Sequence, residues 1–179
     1  MMRLDWLELD NRECNRDWEN AIEYSYSEWE KDQSNKTKLI RTLFLYWYVY
    51  VEDISPFLSD DLVLSRLKTV SSFGREYLSD NIDFQWLYGY VSSINPELFG
   101  KLEDYDEIEQ EGRLFIKRAL EKEPKNIFLQ MLEKGTEPYD KYSKWKYDRR
   151  NDLERYFKNF FQGCSLYDEY FSEIGNQSL

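Results

Sequence analysis

Histidine is absent from all 179 residues of this chain. Its imidazole is the commonest general base and the commonest transition-metal ligand, so Ser-His-Asp and Cys-His constellations are excluded at the outset. Glycine and proline are scarce, seven and four, which disfavours a turn-rich β architecture. The Gly-rich phosphate loops G-x-x-x-x-G-K-[ST] and G-x-G-x-x-G are also missing. Cysteine occurs only at Cys14 and Cys164, with no C-x-x-C spacing. A single disulfide is compatible with that count, but two free thiols in a reducing cytoplasm is the simpler reading. Long apolar runs are lacking too. The richest, Leu43 to Val51, falls far short of a membrane span and is followed at once by Glu52 and Asp53. Asp5, Glu8 and Asp10 interrupt any apolar stretch near the start, so no signal peptide is read there. The expectation is a cytoplasmic, non-enzymatic protein without cofactor or membrane segment.

What the chain does have is rings and negative charge. Fifteen Tyr, eleven Phe and six Trp accompany an apolar fraction of 41%, enough for a core at this length. Tyr and Trp also carry polar handles suited to interfaces. The net charge is −11, unevenly spread: residues 1–110 hold 23 acidic and 11 basic side chains, residues 111–179 hold 12 and 13. Such a field repels nucleic acid and anionic lipid and attracts basic partners. It also serves solubility alone, as in many acidic cytosolic proteins.

Apolar periodicity predicts helices nearly throughout. Trp18, Ile22, Tyr26 and Trp29 form one stripe. Ser34 or Asn35 caps the next helix, which carries Leu39, Ile40, Leu43 and Trp47. Its end, Tyr46 to Val51, has high β-propensity, yet it continues a helical stripe and has no second strand to pair with. Ser55-Pro56 breaks that element. Asp60 and Asp61 favour a new helix start, and Asp80 or Asn81 caps a helix bearing Phe84, Leu87, Tyr88, Val91 and Ile94. Asn95-Pro96 stops it, with a short turn closed by Gly100. A long amphipathic helix over Asp104–Glu123 ends at Pro124, and a shorter one ends at Gly135. Another runs from Pro138 to Gly163 with a break near Asn151, and Ser165 caps a last short helix. The reading is one all-α domain over 1–179, about eight helices packed as antiparallel hairpins.

Three groups of residues invite chemistry. Asp80-x-x-Asp83 and Asp104-x-Asp106-Glu107 have the ligands for a hard cation, but acidic residues at helix starts are favoured by the dipole anyway. Glu107 and Glu111, one turn apart, read as solvated glutamates before an acid/base pair. Lys141, Tyr142, Lys144, Trp145, Lys146, Tyr147, Arg149 and Arg150 interleave cations with rings, as single-stranded nucleic-acid sites do. The plainer reading is an amphipathic helix with Tyr142 and Trp145 inward. No metal and no nucleic acid are expected.

Residues 84 to 126 resemble a tetratricopeptide-type hairpin. Trp86-Leu87-x-Gly89-Tyr90 lies in the first helix, and Phe115, Ala119-Leu120, Pro124 and Asn126 follow in the second. The match covers about one repeat, and the gap containing Pro96 to Tyr105 exceeds the family's. The whole chain is also similar in character to the small acidic helical immunity proteins of bacterial toxin systems, those of contact-dependent growth inhibition above all. The residues that carry this are Phe84, Gly89-Tyr90, Pro96, Phe99, Tyr105, Glu109, Gly112, Ala119 and Pro124-x-Asn126. That resemblance implies a protein that binds one cognate toxin domain, often a basic nuclease, and blocks it. The candidate contacts are acidic residues at helix starts and turns, Glu52, Asp53, Asp60, Asp61, Asp80, Asp83, Asp104 and Asp106, with Tyr105 as an aromatic anchor. The competing expectation is a tetratricopeptide-like adaptor that holds a peptide or protein in a groove.

Overall fold

A computed structural model describes residues 4–54 and 58–176. Among them the chain forms α1 (Leu7–Cys14), α2 (Trp18–Lys31), α3 (Lys36–Val51), α4 (Asp60–Tyr77), α5 (Ile82–Ile94), α6 (Tyr105–Lys122), α7 (Ile127–Lys134), α8 (Tyr139–Phe160) and α9 (Leu166–Asn176). Two single 3₁₀ turns, Pro96–Leu98 and Leu102–Asp104, join α5 to α6. No strand occurs among the described residues. The fold is all-α.

Side-chain caps set many of these starts, because the first N–H groups of a helix have no partner within it. The Asn35 amide oxygen accepts from the Lys38 N–H at 3.2 Å and opens α3. Ser59 accepts from Leu62 ahead of α4, Asn81 from Phe84 ahead of α5, and Asn126 from Phe128 and Leu129 ahead of α7. The Ser165 hydroxyl accepts from the Asp168 N–H at 3.2 Å and donates back to the Asp168 carboxylate at 3.0 Å, opening α9. Pro138 stands immediately before α8.

Two differences from the periodicity reading stand out, and the helical reading of Tyr46–Val51 holds. Helix α1 is not announced by pattern, because its buried side consists of Leu9 and a carboxylate, Glu13. Helix α8 runs unbroken through Asn151, where the expected break does not occur. The Tyr46–Val51 segment stays helical, since α3 is the central rod: every residue from Leu39 to Trp47 is buried and aromatic packing outweighs β-propensity there. The expected break at Ser55-Pro56 lies outside the described residues.

Most consecutive helices pack as hairpins, α4 and α5 instead both lying against α3, which α2 and α9 also flank. One hydrophobic cluster runs from Leu4 to Phe171. Phe44 of α3 stands edge-on to Tyr167 of α9 at 5.1 Å, while Trp86 of α5 meets Phe128 and Phe171, both at 5.1 Å. The chain ends its course where it began. Cys14, last residue of α1, is joined to Cys164, just ahead of α9, in a disulfide with a Cα–Cα separation of 5.1 Å. The two-free-thiol expectation is therefore corrected: separation in sequence said nothing about a fold that brings α9 back against α1 and α3. Beside the bond, the fully buried Glu13 carboxylate accepts from the Leu166 N–H at 2.8 Å and from the Arg41 guanidinium at 2.9 Å. Arg41, 2% exposed, also donates to Asp10 and to the Leu4 carbonyl. Among the described residues no helix is long and apolar enough to cross a membrane.

Candidate functional site

Hairpin topology decides which turns meet. Helices α3 and α5 end, and α4 and α6 begin, at one end of the array. The Trp47 indole N–H donates to the Asn95 side chain at 3.1 Å and ties the last turns of α3 and α5 together. That end carries Glu52, Asp53, Asp60, Asp61, Asp104, Tyr105 and Asp106 of the expected contacts.

Each of these positions has a local cause. Helix α3 closes with the Glu52 N–H on the Tyr48 carbonyl and the Ile54 N–H on the Val49 carbonyl. Between them Asp53 adopts φ 49°, the left-handed conformation that usually takes glycine at this place. The result is a carboxylate on the outermost point of the turn. Asp60 and Asp61 fill the first turn of α4, exposed and favoured by its dipole. Asp104 is partly committed: its carboxylate accepts from the Lys101 N–H at 3.2 Å and closes the second 3₁₀ turn. Tyr105, 38% exposed, and the exposed Asp106 start α6.

Asp80 and Asp83 do not join them. They lie at the opposite end, in the α4–α5 turn, where the Lys122 ammonium donates to the Asp80 carbonyl and approaches its carboxylate at 3.6 Å. Asp83 is only 4% exposed, so its expected role as a surface contact is corrected. Position 83 falls on the inward face of α5, a face that reading it as a first-turn acidic residue overlooked. Among the described residues no group of three His, Cys, Asp or Glu side chains converges to hold a metal ion.

Sequence reasoning missed the apolar part of the acidic end. Val51, Leu62, Ile94 and Leu102 are all exposed there, Leu102 at 84%. The available signal was Leu102 itself, a leucine between Lys101 and Glu103 in a turn too short to bury it. Acidic groups around exposed aliphatic and aromatic side chains give the two ingredients of a protein interface: a charged rim that steers encounter and apolar centres that shed water.

The remaining chemical motifs settle into structure. Glu111 accepts from the Arg75 guanidinium at 2.9 Å and from the Tyr88 hydroxyl at 3.1 Å, while Glu107 is exposed. On α8, Tyr142 and Trp145 pack against the core. Lys146 lies over Tyr142 at 5.0 Å and Arg150 over Tyr147 at 5.1 Å. Burial lowers the Lys146 pKa. Arg149 and Arg155 pair locally with Asp152. The chain's own cations thus occupy two of the ring faces that a strand of bases would need. A separate cleft of about 330 Å³ opens between α5, α6, α7 and α8, lined by Tyr90, Ile94, Ile116, Met131, Leu132 and Tyr142 among others. Ile94 belongs to both the cleft and the acidic end.

No protein-family model matches the chain, and comparison with curated proteins and with solved structures finds no match.

Proposed function

We propose that this chain is an immunity protein that neutralises a cognate toxin, a cationic nuclease domain, by covering its substrate cleft with the acidic end of the helix array. The observation that carries the reading is that Glu52, Asp53, Asp60, Asp61 and Asp106 all stand exposed at the end of α3 and the starts of α4 and α6, with Val51, Leu62, Ile94, Leu102 and Tyr105 exposed in the same end turns. Carboxylates stand where the nuclease would seat phosphates, which speeds encounter, and the apolar group desolvates the centre of the contact. The protein acts by occupation and needs no catalytic group of its own. It works in the cytoplasm, where an incoming nuclease would find its substrate.

The test is direct. The toxin domain encoded beside the gene is purified, its nuclease activity is measured with and without the chain, and association is followed at rising salt. The reading expects stoichiometric inhibition and an association rate that falls steeply between low and physiological ionic strength. An association rate indifferent to salt, or undiminished nuclease activity in a formed complex, would defeat it. The adaptor reading draws on the cleft beside Ile94, where an extended or helical apolar segment would lie. Capture of short linear peptides, with substitutions in the cleft abolishing binding and those at the acidic end leaving it intact, would favour that alternative.

A further inference from the structure

Cys14 and Cys164 stand 150 residues apart in sequence, yet contacts on both sides hold their backbones in register without the covalent bond. One residue before Cys14, Glu13 accepts from the Leu166 N–H, two residues after Cys164. Two residues after Cys14, Arg16 grips Glu169 through both carboxylate oxygens, at 2.9 and 3.0 Å. Arg41 anchors Glu13 from α3. The Cα–Cα separation of 5.1 Å lies within the range that a disulfide accepts. Cys164 is exposed and Cys14 partly so, leaving a path for a small thiol reagent.

From this arrangement we propose that Cys14 and Cys164 form a reversible redox clasp, made and broken in the already folded protein by exchange with a small disulfide such as oxidised glutathione. The Cys164 thiolate attacks the glutathione disulfide, forming a mixed disulfide and releasing one glutathione thiolate. The Cys14 thiolate then attacks the Cys164 sulfur and expels the second. Two electrons pass from the cysteine pair to the glutathione disulfide, which leaves as two thiols carrying the two cysteine protons. Excess reduced glutathione runs the same steps backward. Because the ionic contacts remain, the reduced chain keeps its fold, but α1 and α9 open more easily while the α5–α6 hairpin is unaffected. The closure of the bundle thereby responds to the thiol poise of its surroundings. This inference stands apart from the toxin-binding reading and does not depend on it.

The full chain, purified reduced, is incubated with glutathione mixtures of graded ratio, quenched with a maleimide and weighed by mass spectrometry. Its fold is followed by circular dichroism and its amide exchange by segment. The clasp predicts joint loss of both reactive thiols without a lasting glutathione adduct, an unchanged helical spectrum, and exchange in α1 and α9 about tenfold faster in the reduced form. Cys14→Ser arrests the sequence at a stable Cys164–glutathione adduct. Arg16→Ala, a surface change, raises several-fold the ratio of oxidised to reduced glutathione at which the pair is half oxidised, in the direction of easier reduction. Thiols that stay reactive in the folded chain under excess oxidised glutathione, or that pair only after urea is added, overturn the proposal. So does identical exchange in α1 and α9 in the two redox states.

Discussion

Gly89 and Gly112 oppose each other across the α5–α6 hairpin: a Cβ built on Gly89 would lie 2.7 Å from the Gly112 carbonyl oxygen, and one on Gly112 would lie 2.8 Å from the Gly89 carbonyl oxygen. These are backbone atoms, which cannot turn aside as a side chain can. Gly89→Ala or Gly112→Ala therefore forces the two helices apart and disturbs the packing of Phe84, Tyr88 and Phe115 between them. Urea denaturation is expected to show a loss of about 1–3 kcal/mol for either substitution, despite alanine's better helix propensity. Equal or greater stability in both variants would show that the close approach is not structurally required.

The caps offer a smaller, cleaner effect. Ser165 both donates to and accepts from Asp168, and it is buried, so no water replaces it readily. Ser165→Ala should cost about 1 kcal/mol, and Ser165→Thr, which keeps the hydroxyl that donates to Asp168, less. Thermal unfolding of the two variants side by side distinguishes cap loss from a packing defect, which both substitutions would share.

Asp53 illustrates a tension between stability and use. Its φ of 49° suits glycine better than any side chain carrying a Cβ. Asp53→Gly is expected to raise stability by up to about 1 kcal/mol, the relief of left-handed backbone being partly offset by the greater freedom of glycine in the unfolded chain. The same change removes a carboxylate from the outermost point of the acidic end. A variant that melts higher and binds its partner more slowly is the expected result, checked by calorimetry and by association kinetics on one protein sample.

Most of the helices were legible because their punctuation is local. Asn35, Asn81, Asn126, Pro138 and Ser165 announce themselves within a few residues, and the aromatic stripes need only the helical period. The α5–α6 hairpin was readable too, since Gly89 and Ala119-Leu120 sit at spacings with a packing meaning. What sequence could not show depends on partners far along the chain. Glu13 looks like any solvated glutamate until Arg41 and the start of α9 arrive from 28 and 153 residues away. Cys14 and Cys164 are unremarkable until the same closure brings them together. For the candidate site, local signals gave the acidic residues but not their grouping: topology separates Asp80 and Asp83 from the others, and Asp83 turns inward on a helix whose apolar stripe was judged narrower than it is.

The buried Glu13 makes a signed pH prediction. Burial raises its pKa, and the opposing pull of the Arg41 guanidinium and the Leu166 amide recovers only part of that shift. The folded chain therefore holds this proton more tightly than the unfolded chain does. Where the folded state binds more protons, stability falls as pH rises, from the ordinary carboxylate value up through the raised one. Glu13→Gln carries no titration at this site, so the stability difference between the parent and this variant should decline over that window and level off above it. Arg41→Met leaves the carboxylate buried without its cation and should cost about 3–5 kcal/mol at neutral pH, with a decline that continues to higher pH than in the parent because the Glu13 pKa rises further. A parent-minus-Gln difference that increases over the window would reverse the assigned direction.

The acidic end and the opposite end form a built-in control for the binding reading. Asp60, Asp61 and Asp106 are exposed at the end where Val51, Leu62, Ile94 and Leu102 are also exposed, whereas Asp80 sits across the array beside Lys122. Each neutralisation changes the net charge of −11 by one unit, so a purely global field treats Asp60→Asn and Asp80→Asn alike. A local steering surface does not, because at physiological ionic strength a charge acts over roughly 8 Å. The triple variant Asp60→Asn, Asp61→Asn, Asp106→Asn is expected to slow association with the toxin domain about tenfold at low salt and to flatten its salt dependence. Asp80→Asn should stay within about twofold of the parent. Leu102→Ala, which removes apolar area and no charge, should leave the association rate nearly unchanged and speed dissociation, since rim charges act mainly on encounter and buried apolar contacts on residence. If Asp80→Asn slows encounter as much as any single substitution at the acidic end, the partner docks elsewhere and the field of the whole molecule accounts for the attraction.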